Sequence, residues 1–169
     1  MNKLYLIIVS ILFILAGCES KQESSAEGDG QIQEMISPPP KVEIKKQENI
    51  DPKAEKEVLA VVNENLAATK AEDKDRVLAT IHEQSPQYSS TVQGLEFVFM
   101  NYDLEFFMEI AEVIEISEND AKVYYILTTR SVKGRGFLNK RDEGIHHLKK
   151  QNGKWRIYRT EIINTTPVQ

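Results

Sequence analysis

Apolar residues recur at two periods along the chain, and the change between them separates a helical part from a stranded part. After Asp51-Pro52 the apolar residues follow a helical spacing as far as Thr69, which predicts a helix with Asp51 as N-cap and proline at its first position. The pattern then predicts a shorter helix that ends at Ser85-Pro86, and a third helix capped by Ser90 or Thr91.

From Asp103 onward the apolar period is two, which is typical of half-buried strands. The inward phase of the first strand is predicted to contain Leu104, Phe106, Met108, Ile110, Ile114 and Ile116. A second strand follows from Ala121, and a third passes through Ile145 to Leu148. Asn152-Gly153 is a strong type I′ hairpin signal and joins the third strand to a fourth. Helices followed by antiparallel strands predict an α+β fold with the N-terminal helices packed on a curved sheet of about four strands.

The first 17 residues have the layout of an export signal. A basic start precedes the uncharged apolar run Leu4–Leu15, and the small pair Ala16-Gly17 directly precedes Cys18, the only cysteine. A helix of about 12 residues spans roughly 18 Å, which is short of a hydrocarbon core of about 30 Å. A permanent membrane span is therefore disfavoured.

The four residues Leu15 to Cys18 resemble the lipobox of bacterial lipoproteins. The resemblance implies that Cys18 receives a diacylglyceryl thioether, that the chain is cut after Gly17, and that the new N-terminus is often acylated as well. Two or more acyl chains give stable anchoring. We therefore expect a lipoprotein, anchored to the cell membrane on its extracytoplasmic side. The alternative is an ordinary signal peptide with a chance cysteine.

Residues 18–50 show no hydrophobic period and are rich in Glu, Lys, Gln, Ser and Gly, which predicts a disordered tether behind the signal peptide of residues 1–17. Ser37-Pro38-Pro39-Pro40 is interpreted as a stiff spacer, and the alternative is a recognition segment for a proline-binding groove. Residues 51–165 remain for a single domain with a modest core.

Three stretches of this domain resemble the nuclear transport factor 2-like superfamily, which includes polyketide-cyclase-like (SnoaL-like) and ketosteroid-isomerase-like enzymes. They are NENLAATKAEDKDRVLATIHEQSPQY, LEFVFMNYDLEFFMEIAEVIEISENDAKVYYILTTRS and HHLKKQNGKWRIYRTEI. The resemblance implies a cone-shaped domain, often with a pocket between a helix and the sheet. Enzymes of the superfamily place an aspartate, histidine or tyrosine there, but none of their catalytic motifs matches this chain residue by residue.

Polar residues that fall in an inward-facing phase are the candidates for such a pocket. Glu112 shares the phase of Ile110 and Ile114, and a carboxylate in an apolar pocket has the raised pKa that a general base requires. The alternative is a β-bulge near Ala111 that returns Glu112 to solvent. His147 shares the phase of Ile145 and is predicted to point inward, either as a core histidine or as a base.

Two tyrosines complete the candidate pocket, Tyr102 and Tyr125, although core packing with the hydroxyl at the rim explains them equally well. The histidines lack the spacing of metal ligands, and no glycine-rich phosphate loop is present, so we predict neither a metal nor a cofactor.

Charge is distributed unevenly, although the formal net charge is only −5. Residues 51–120 contain 5 basic and 16 acidic side chains, whereas residues 121–169 contain 11 basic and 3 acidic ones. Cross-strand ion pairs, an interaction with a partner or with a second copy, and a basic face toward anionic polymers or lipid headgroups are the competing interpretations. The candidate basic face comprises Arg130, Lys133, Arg135, Lys140 and Arg141.

These patterns favour a cell-envelope lipoprotein whose domain binds a ligand or a protein partner without catalysis. The alternative is a small isomerase- or dehydratase-like enzyme with Glu112 or His147 as its base. Nucleic acid is disfavoured as a partner, because the chain is acidic and its aromatic residues do not alternate with basic ones.

Overall fold

The computed structural model describes residues 44–133 and 136–169, so the predicted signal peptide, the lipobox cysteine Cys18, most of the predicted tether and Arg135 lie outside the described residues. The described chain contains three helices followed by four strands. Their bounds are α1 Pro52–Lys70, α2 Lys74–Ala79, α3 Tyr88–Asn101, β1 Asp103–Ile116, β2 Asp120–Lys133, β3 Lys140–Gln151 and β4 Lys154–Pro167. Within these ranges no helix has both the length and the apolar character that a membrane crossing requires.

The four strands form one antiparallel sheet in the order β1-β2-β3-β4, which confirms the predicted α+β class. The turn between β3 and β4 contains Asn152 and Gly153 with φ angles of 52° and 75°. Positive φ at both central positions is the requirement of a type I′ turn, so this hairpin forms as its sequence predicts.

The core lies between α1 and the inner face of the sheet. Val58 and Val62 project from one side of α1 and are almost completely buried, as four-residue spacing requires. They pack with strand residues of the same cluster, which are Val113, Ala121, Val123, Leu148, Trp155 and Ile157. The inner face of the sheet is therefore defined as the face that carries Val123 and Leu148.

Both ends of α1 are closed by local hydrogen bonds. The Asp51 carboxylate accepts a hydrogen bond from the Ala54 amide at 3.1 Å, as predicted for an N-cap. At the other end the Glu72 amide donates to the Thr69 carbonyl and the Asp73 amide donates to the Ala68 carbonyl. This is a Schellman motif, and it holds Glu72 at a φ of 53°, a conformation that favours glycine.

The predicted cap of α3 is wrong. The N-cap position is Gln87, three or four residues earlier than predicted, and the hydroxyls of Ser90 and Thr91 donate to the Gln87 carbonyl instead of capping amides. The Gln87 side chain faces β4, where its Oε1 accepts from the Thr160 amide at 2.7 Å and its Nε2 donates to the Thr160 carbonyl at 2.9 Å. One amide side chain thus takes the place of a neighbouring strand.

The segment before α1 contacts the free edge of β1. The Gln47 amide donates to the Ile114 carbonyl at 2.8 Å, and the Gln47 side-chain oxygen accepts from the Ile116 amide at 2.9 Å. Lys46 also forms an ion pair with Glu112 at 2.8 Å. Lys46 and Gln47 therefore already contact the folded domain, before the first helix.

The inward phase of β1 changes partway along the strand. The register with β2 shifts between Met108 and Ile110, so that Ile110 is 41% exposed while Ala111 and Val113 face the core. The prediction that Ile110 faces inward is therefore wrong. A bulge of this kind adds one residue and reverses the phase of the residues that follow it.

Candidate functional site

The described domain contains a cavity between α3 and the inner face of the sheet. No residue of α3 is fully buried, because this helix does not pack closely on the strands. The space left beneath it has a volume of about 380 Å³ and is mainly apolar. It is lined by Thr69, Thr91, Gly94, Leu95, Val98, Phe99, Leu104, Phe106, Leu127, Thr129, Phe137, Lys140 and Asp142. We call it the groove.

An ion pair between a buried carboxylate and a partly exposed lysine lies on the strand side of the groove. Asp142 is only 6% exposed, and its Oδ2 lies 2.7 Å from the Lys140 Nζ. The Thr165 hydroxyl donates a second hydrogen bond of 2.7 Å to the Asp142 Oδ1. A buried carboxylate needs partners of this kind, since an isolated charge is costly in an apolar environment.

Tyr125 and His146 lie on the same face of the sheet as Asp142. Their rings stack with centroids 4.3 Å apart and planes 15° from parallel, and the His146 Nδ1 lies 2.9 Å from the Thr160 Oγ1. Burial lowers the pKa of His146 to about 4, with a smaller contribution from the charge of His147. Burial also raises the pKa of Tyr125, and the Asp142 charge adds to that effect. Both rings are therefore neutral at pH 7.

Gly144 makes room for this stack. A Cβ atom there would lie 2.7 Å from the Tyr125 hydroxyl oxygen and would collide with the Glu161 carbonyl oxygen. Because backbone and ring both approach so closely, position 144 accepts no side chain. A single glycine thus allows Tyr125 to lie flat across β3.

The walls and polar groups of the groove are suited to binding a ligand. The apolar walls favour an apolar ligand, and the Lys140–Asp142 pair offers one donor and one acceptor group to a polar substituent of that ligand. His146 has too low a pKa to serve as a base at neutral pH, and Tyr125 remains protonated there. Over the described ranges no cluster of His, Cys, Asp or Glu side chains has the arrangement of a metal site.

The structure does not bring the four predicted pocket residues together. Glu112 pairs with Tyr124 across the outer face of the sheet and forms an ion pair with Lys46. It is about half exposed, on the side opposite to the groove. The register shift between Met108 and Ile110 accounts for this position, as the alternative of a β-bulge near Ala111 predicts.

The predicted phase of β3 is also wrong, so that His147 faces outward and His146 inward. Ile145 and Leu148 are both apolar but lie on opposite faces, and it is Leu148 that enters the core. The His147 Nε2 lies 3.1 Å from the Glu161 Oε2 and 3.1 Å from the Arg159 guanidinium on the outer face.

The two tyrosines occupy different places. Tyr125 is 3% exposed on the inner face, as its predicted phase requires. Tyr102 follows the end of α3 and packs edge-on between Phe97 and Phe137, with centroid distances of 6.0 and 5.3 Å. It therefore lies at the end of the groove rather than inside it, next to the groove-lining Phe137.

The residues of the predicted basic face are divided between the two sides of the sheet. Lys140 is on the inner side and is neutralised by Asp142, whereas Arg141 is on the outer side with its Nε 3.0 Å from the Glu109 Oε2. Arg130 also faces outward, with its guanidinium carbon 5.9 Å from the centroid of the Phe107 ring. The alternation of a strand separates neighbouring residues in this way.

Sequence reasoning missed Asp142, which lines the groove, and His146, which lies on the same inner face of the sheet. Both share the phase of Leu148, at spacings of six and two residues. If Leu148 rather than Ile145 is taken as the inward residue of β3, the two-residue period of a strand places Asp142 and His146 on the inner face as well.

The fold has many relatives among solved structures. A ketosteroid isomerase-like protein from Erwinia carotovora atroseptica SCRI1043 matches with a TM-score of 0.52 at 18% identity, over 68% of this chain and 99% of that chain. An NTF2-like protein of unknown function from Pseudomonas putida KT2440 matches with a TM-score of 0.54 at 12% identity, over 68% and 88% of the two chains. Identities this low show the fold alone. The domain therefore has a nuclear transport factor 2-like fold with an apolar groove.

A comparison at the level of sequence is more specific. The family model described as the C-terminal domain of anti-sigma-I factor RsgI9 matches residues 60–168, and the chain belongs to this family. Anti-sigma-I factor RsgI9 of Acetivibrio thermocellus is 38% identical over 71 residues, which is 42% of this chain. The match spans only 10% of that protein's length.

Proposed function

We propose that this protein is a cell-envelope lipoprotein whose folded domain is a non-catalytic binding module for a small, largely apolar ligand. The observation that carries the proposal is the groove of about 380 Å³ beneath α3, with apolar walls and one ion pair whose carboxylate, Asp142, is buried. Well-formed apolar cavities with a few polar groups are the usual sites of small-molecule binding.

The location outside the cytoplasm follows from the lipobox resemblance around Cys18. In this proposal acyl chains at Cys18 hold the protein to the membrane, and the tether displays the domain beyond it. The family relationship supports a modular role. In the Acetivibrio thermocellus anti-sigma-I factor the matching segment is 10% of the protein's length, so the related segment occurs there as one part of a longer chain. A domain that occurs as one part of a longer chain is suited to be a transferable binding unit.

The enzyme alternative assigned the base to Glu112 or His147. Both lie on the outer face, away from the groove, where Glu112 forms an ion pair with Lys46 and the His147 Nε2 contacts the Glu161 carboxylate. On the groove side, the Asp142 carboxylate already accepts from Lys140 and Thr165. The proposal therefore assigns the Lys140 and Asp142 side chains a role in orienting the ligand.

A groove-filling variant tests the proposal. Gly94 lines the groove, and a Cβ atom there meets no heavy atom within 4 Å, so Gly94→Phe can extend into the cavity without a backbone clash. Gly94→Ala is the matched control, because it adds a methyl group and leaves most of the space open. Small aromatic and aliphatic alcohols, acids and amines are screened against isotope-labelled protein by chemical-shift mapping.

We expect shifts at residues that line the groove, together with affinity about tenfold weaker or more in Gly94→Phe and nearly unchanged in Gly94→Ala. Binding that maps to the outer face, or that persists in Gly94→Phe, contradicts the proposal. Thermal unfolding of both variants establishes that the domain remains folded.

A further inference from the structure

Two large apolar side chains on different segments of the domain are almost fully exposed. Met100 near the end of α3 is 83% exposed, and Leu138 in the segment before β3 is 81% exposed, the highest fractions for large apolar residues within the described ranges. The aromatic rings of Phe97, Tyr102 and Phe137 connect the two segments by successive edge contacts of 6.0 and 5.3 Å. We call these five residues the apolar tip.

The tip is an organised feature and not a scatter of single exposed side chains. Its aromatic contacts fix the end of α3 against the segment that carries Leu138, so that the two exposed side chains are presented by one packed unit. Contiguous exposed apolar surface marks a place of interaction with another apolar phase or partner. The groove offers it no cover, since Met100 and Leu138 do not line that cavity.

We propose that the apolar tip inserts into the lipid surface of the membrane that bears the protein, an inference that rests on the lipid anchor proposed above. The length of the tether permits this orientation. Residues 18 to 44 span up to about 90 Å when extended. The chain enters the domain beside the start of α1, where the Lys46 Nζ lies 3.8 Å from the Glu55 carboxylate.

The tip lies toward the opposite end of α1, because Lys70 and Ala71 border the same surface depression as Met100 and Tyr102. The 19 residues of α1 correspond to roughly 28 Å. The extended length of the tether is therefore about three times the length of α1, along which the tether must run back. Once anchored, the tip is held at a high effective concentration near the lipid, which adds to the affinity that the tip itself has for lipid.

Charge near the tip distinguishes lipid insertion from headgroup binding. The depression beside Met100 contains two basic side chains, Lys70 and Lys133, and two acidic ones, Glu72 and Asp103. Because these charges balance, attraction to anionic headgroups is weak and the insertion depends on apolar contact. Binding should therefore be similar on zwitterionic and anionic membranes.

Tryptophan reporters on vesicles test the inference. The chain that starts at residue 18 is made with Cys18→Ser, so that it bears no acyl group and any binding comes from the protein itself. Met100→Trp and Leu138→Trp are compared with Ile162→Trp, a matched control at a position on β4 that is 51% exposed. Vesicles are phosphatidylcholine alone or phosphatidylcholine with phosphatidylglycerol, each with and without brominated acyl chains.

We expect both tip reporters to show a blue shift of the emission and quenching by brominated lipid on both vesicle types. Ile162→Trp should show neither change on either vesicle type. Buried Trp155 contributes the same background in all of these variants. In a background without added tryptophan, Met100→Gln combined with Leu138→Gln should lower the vesicle-bound fraction about tenfold, whereas Ile162→Gln should leave it unchanged. All of these positions are exposed, so thermal unfolding should be unaffected.

Three results overturn the inference. They are the absence of any shift at Met100→Trp and Leu138→Trp, an equal response from Ile162→Trp, and binding that needs phosphatidylglycerol and survives the double glutamine substitution. The anchor is tested separately, by the effect of Cys18→Ser on membrane fractionation in cells. Failure of the anchor and failure of the tip are thus distinguishable.

Discussion

Acid should destabilise the domain through His146. Burial lowers the pKa of this ring from 6.5 to about 4 in the folded state, whereas the unfolded chain retains the ordinary value. As the pH falls below 6.5, the unfolded state therefore binds a proton that the folded state excludes. The free energy of unfolding declines between pH 6.5 and pH 4 and levels off below that range, where both states are protonated.

The magnitude follows from the difference between the two pKa values. A difference of about 2.5 units at roughly 1.4 kcal/mol per unit gives a maximum loss of about 3 kcal/mol, of which about 2 kcal/mol is lost by pH 5. These figures are upper bounds, because the residue as a whole is not completely shielded from solvent. Even so, the loss is a large fraction of the stability of a typical small domain.

Urea unfolding at about pH 7.5 and pH 5.0 measures the effect, with His146→Gln as the test variant. Glutamine does not titrate, so the variant should lose about 2 kcal/mol less than the wild type over the same interval. His147→Gln is the matched control, since it removes a neighbouring histidine from the outer face and should retain most of the wild-type pH dependence. Carboxylates such as Glu109 titrate in all three proteins and cancel in the comparison.

The reasoning is refuted if His146→Gln and the wild type lose the same stability between the two pH values. It is also refuted if His147→Gln, rather than His146→Gln, reduces the pH dependence. A nuclear magnetic resonance titration provides an independent check, because the His146 ring should begin to titrate only as the pH approaches 4.

Four other substitutions test separate features, each with urea unfolding unless stated. Glu72→Gly should stabilise the domain by about 1 kcal/mol, because residue 72 has a positive φ, and no gain would contradict the strained helix end. Gly94→Ala should also stabilise by about 1 kcal/mol through helix propensity, and a loss would mean that α3 needs the glycine. Lys140→Ala should cost about 1–3 kcal/mol, because it leaves the buried Asp142 carboxylate without its charged partner. Lys122→Ala, which removes the partner of the exposed Glu115, should cost under about 0.5 kcal/mol, and equal effects would contradict the importance of the burial of Asp142. Cys18→Ser should abolish incorporation of a palmitate analogue and move the protein out of the membrane fraction, and unchanged fractionation would exclude the lipid anchor.

The class of fold was predictable because each element carries its own local signal. Asp51-Pro52 starts α1, the period changes at Asp103, and Asn152-Gly153 closes the last hairpin, all within a few residues of the observed bounds. None of these signals depends on contacts far away in the sequence. The start of α3 was misplaced because Gln87, which is not a typical cap, is held by β4 instead.

The positions of the site residues were less predictable, because they depend on the pairing register of the strands. One added residue between Met108 and Ile110 reverses the phase of β1 and places Glu112 outside. In β3, Ile145 and Leu148 carry equal apolar signals on opposite faces, so hydrophobicity does not decide which histidine is buried. A shift by one residue exchanges the two faces of a strand, and only the packed core decides between them.

The side-chain amide of Gln87 forms the hydrogen bonds of a neighbouring strand with β4, but no further strand can pair with it. It satisfies both the N–H and the C=O of Thr160, yet it presents no further backbone to which another chain could add. Gln47 provides a similar local closure on β1, at the other side of the sheet. Exposed strand edges invite association between copies, so each closure blocks growth of the sheet at the point that it occupies. A domain closed in this way can be joined to unrelated partners, or packed densely on a surface, with less risk of forming extended sheets with its neighbours.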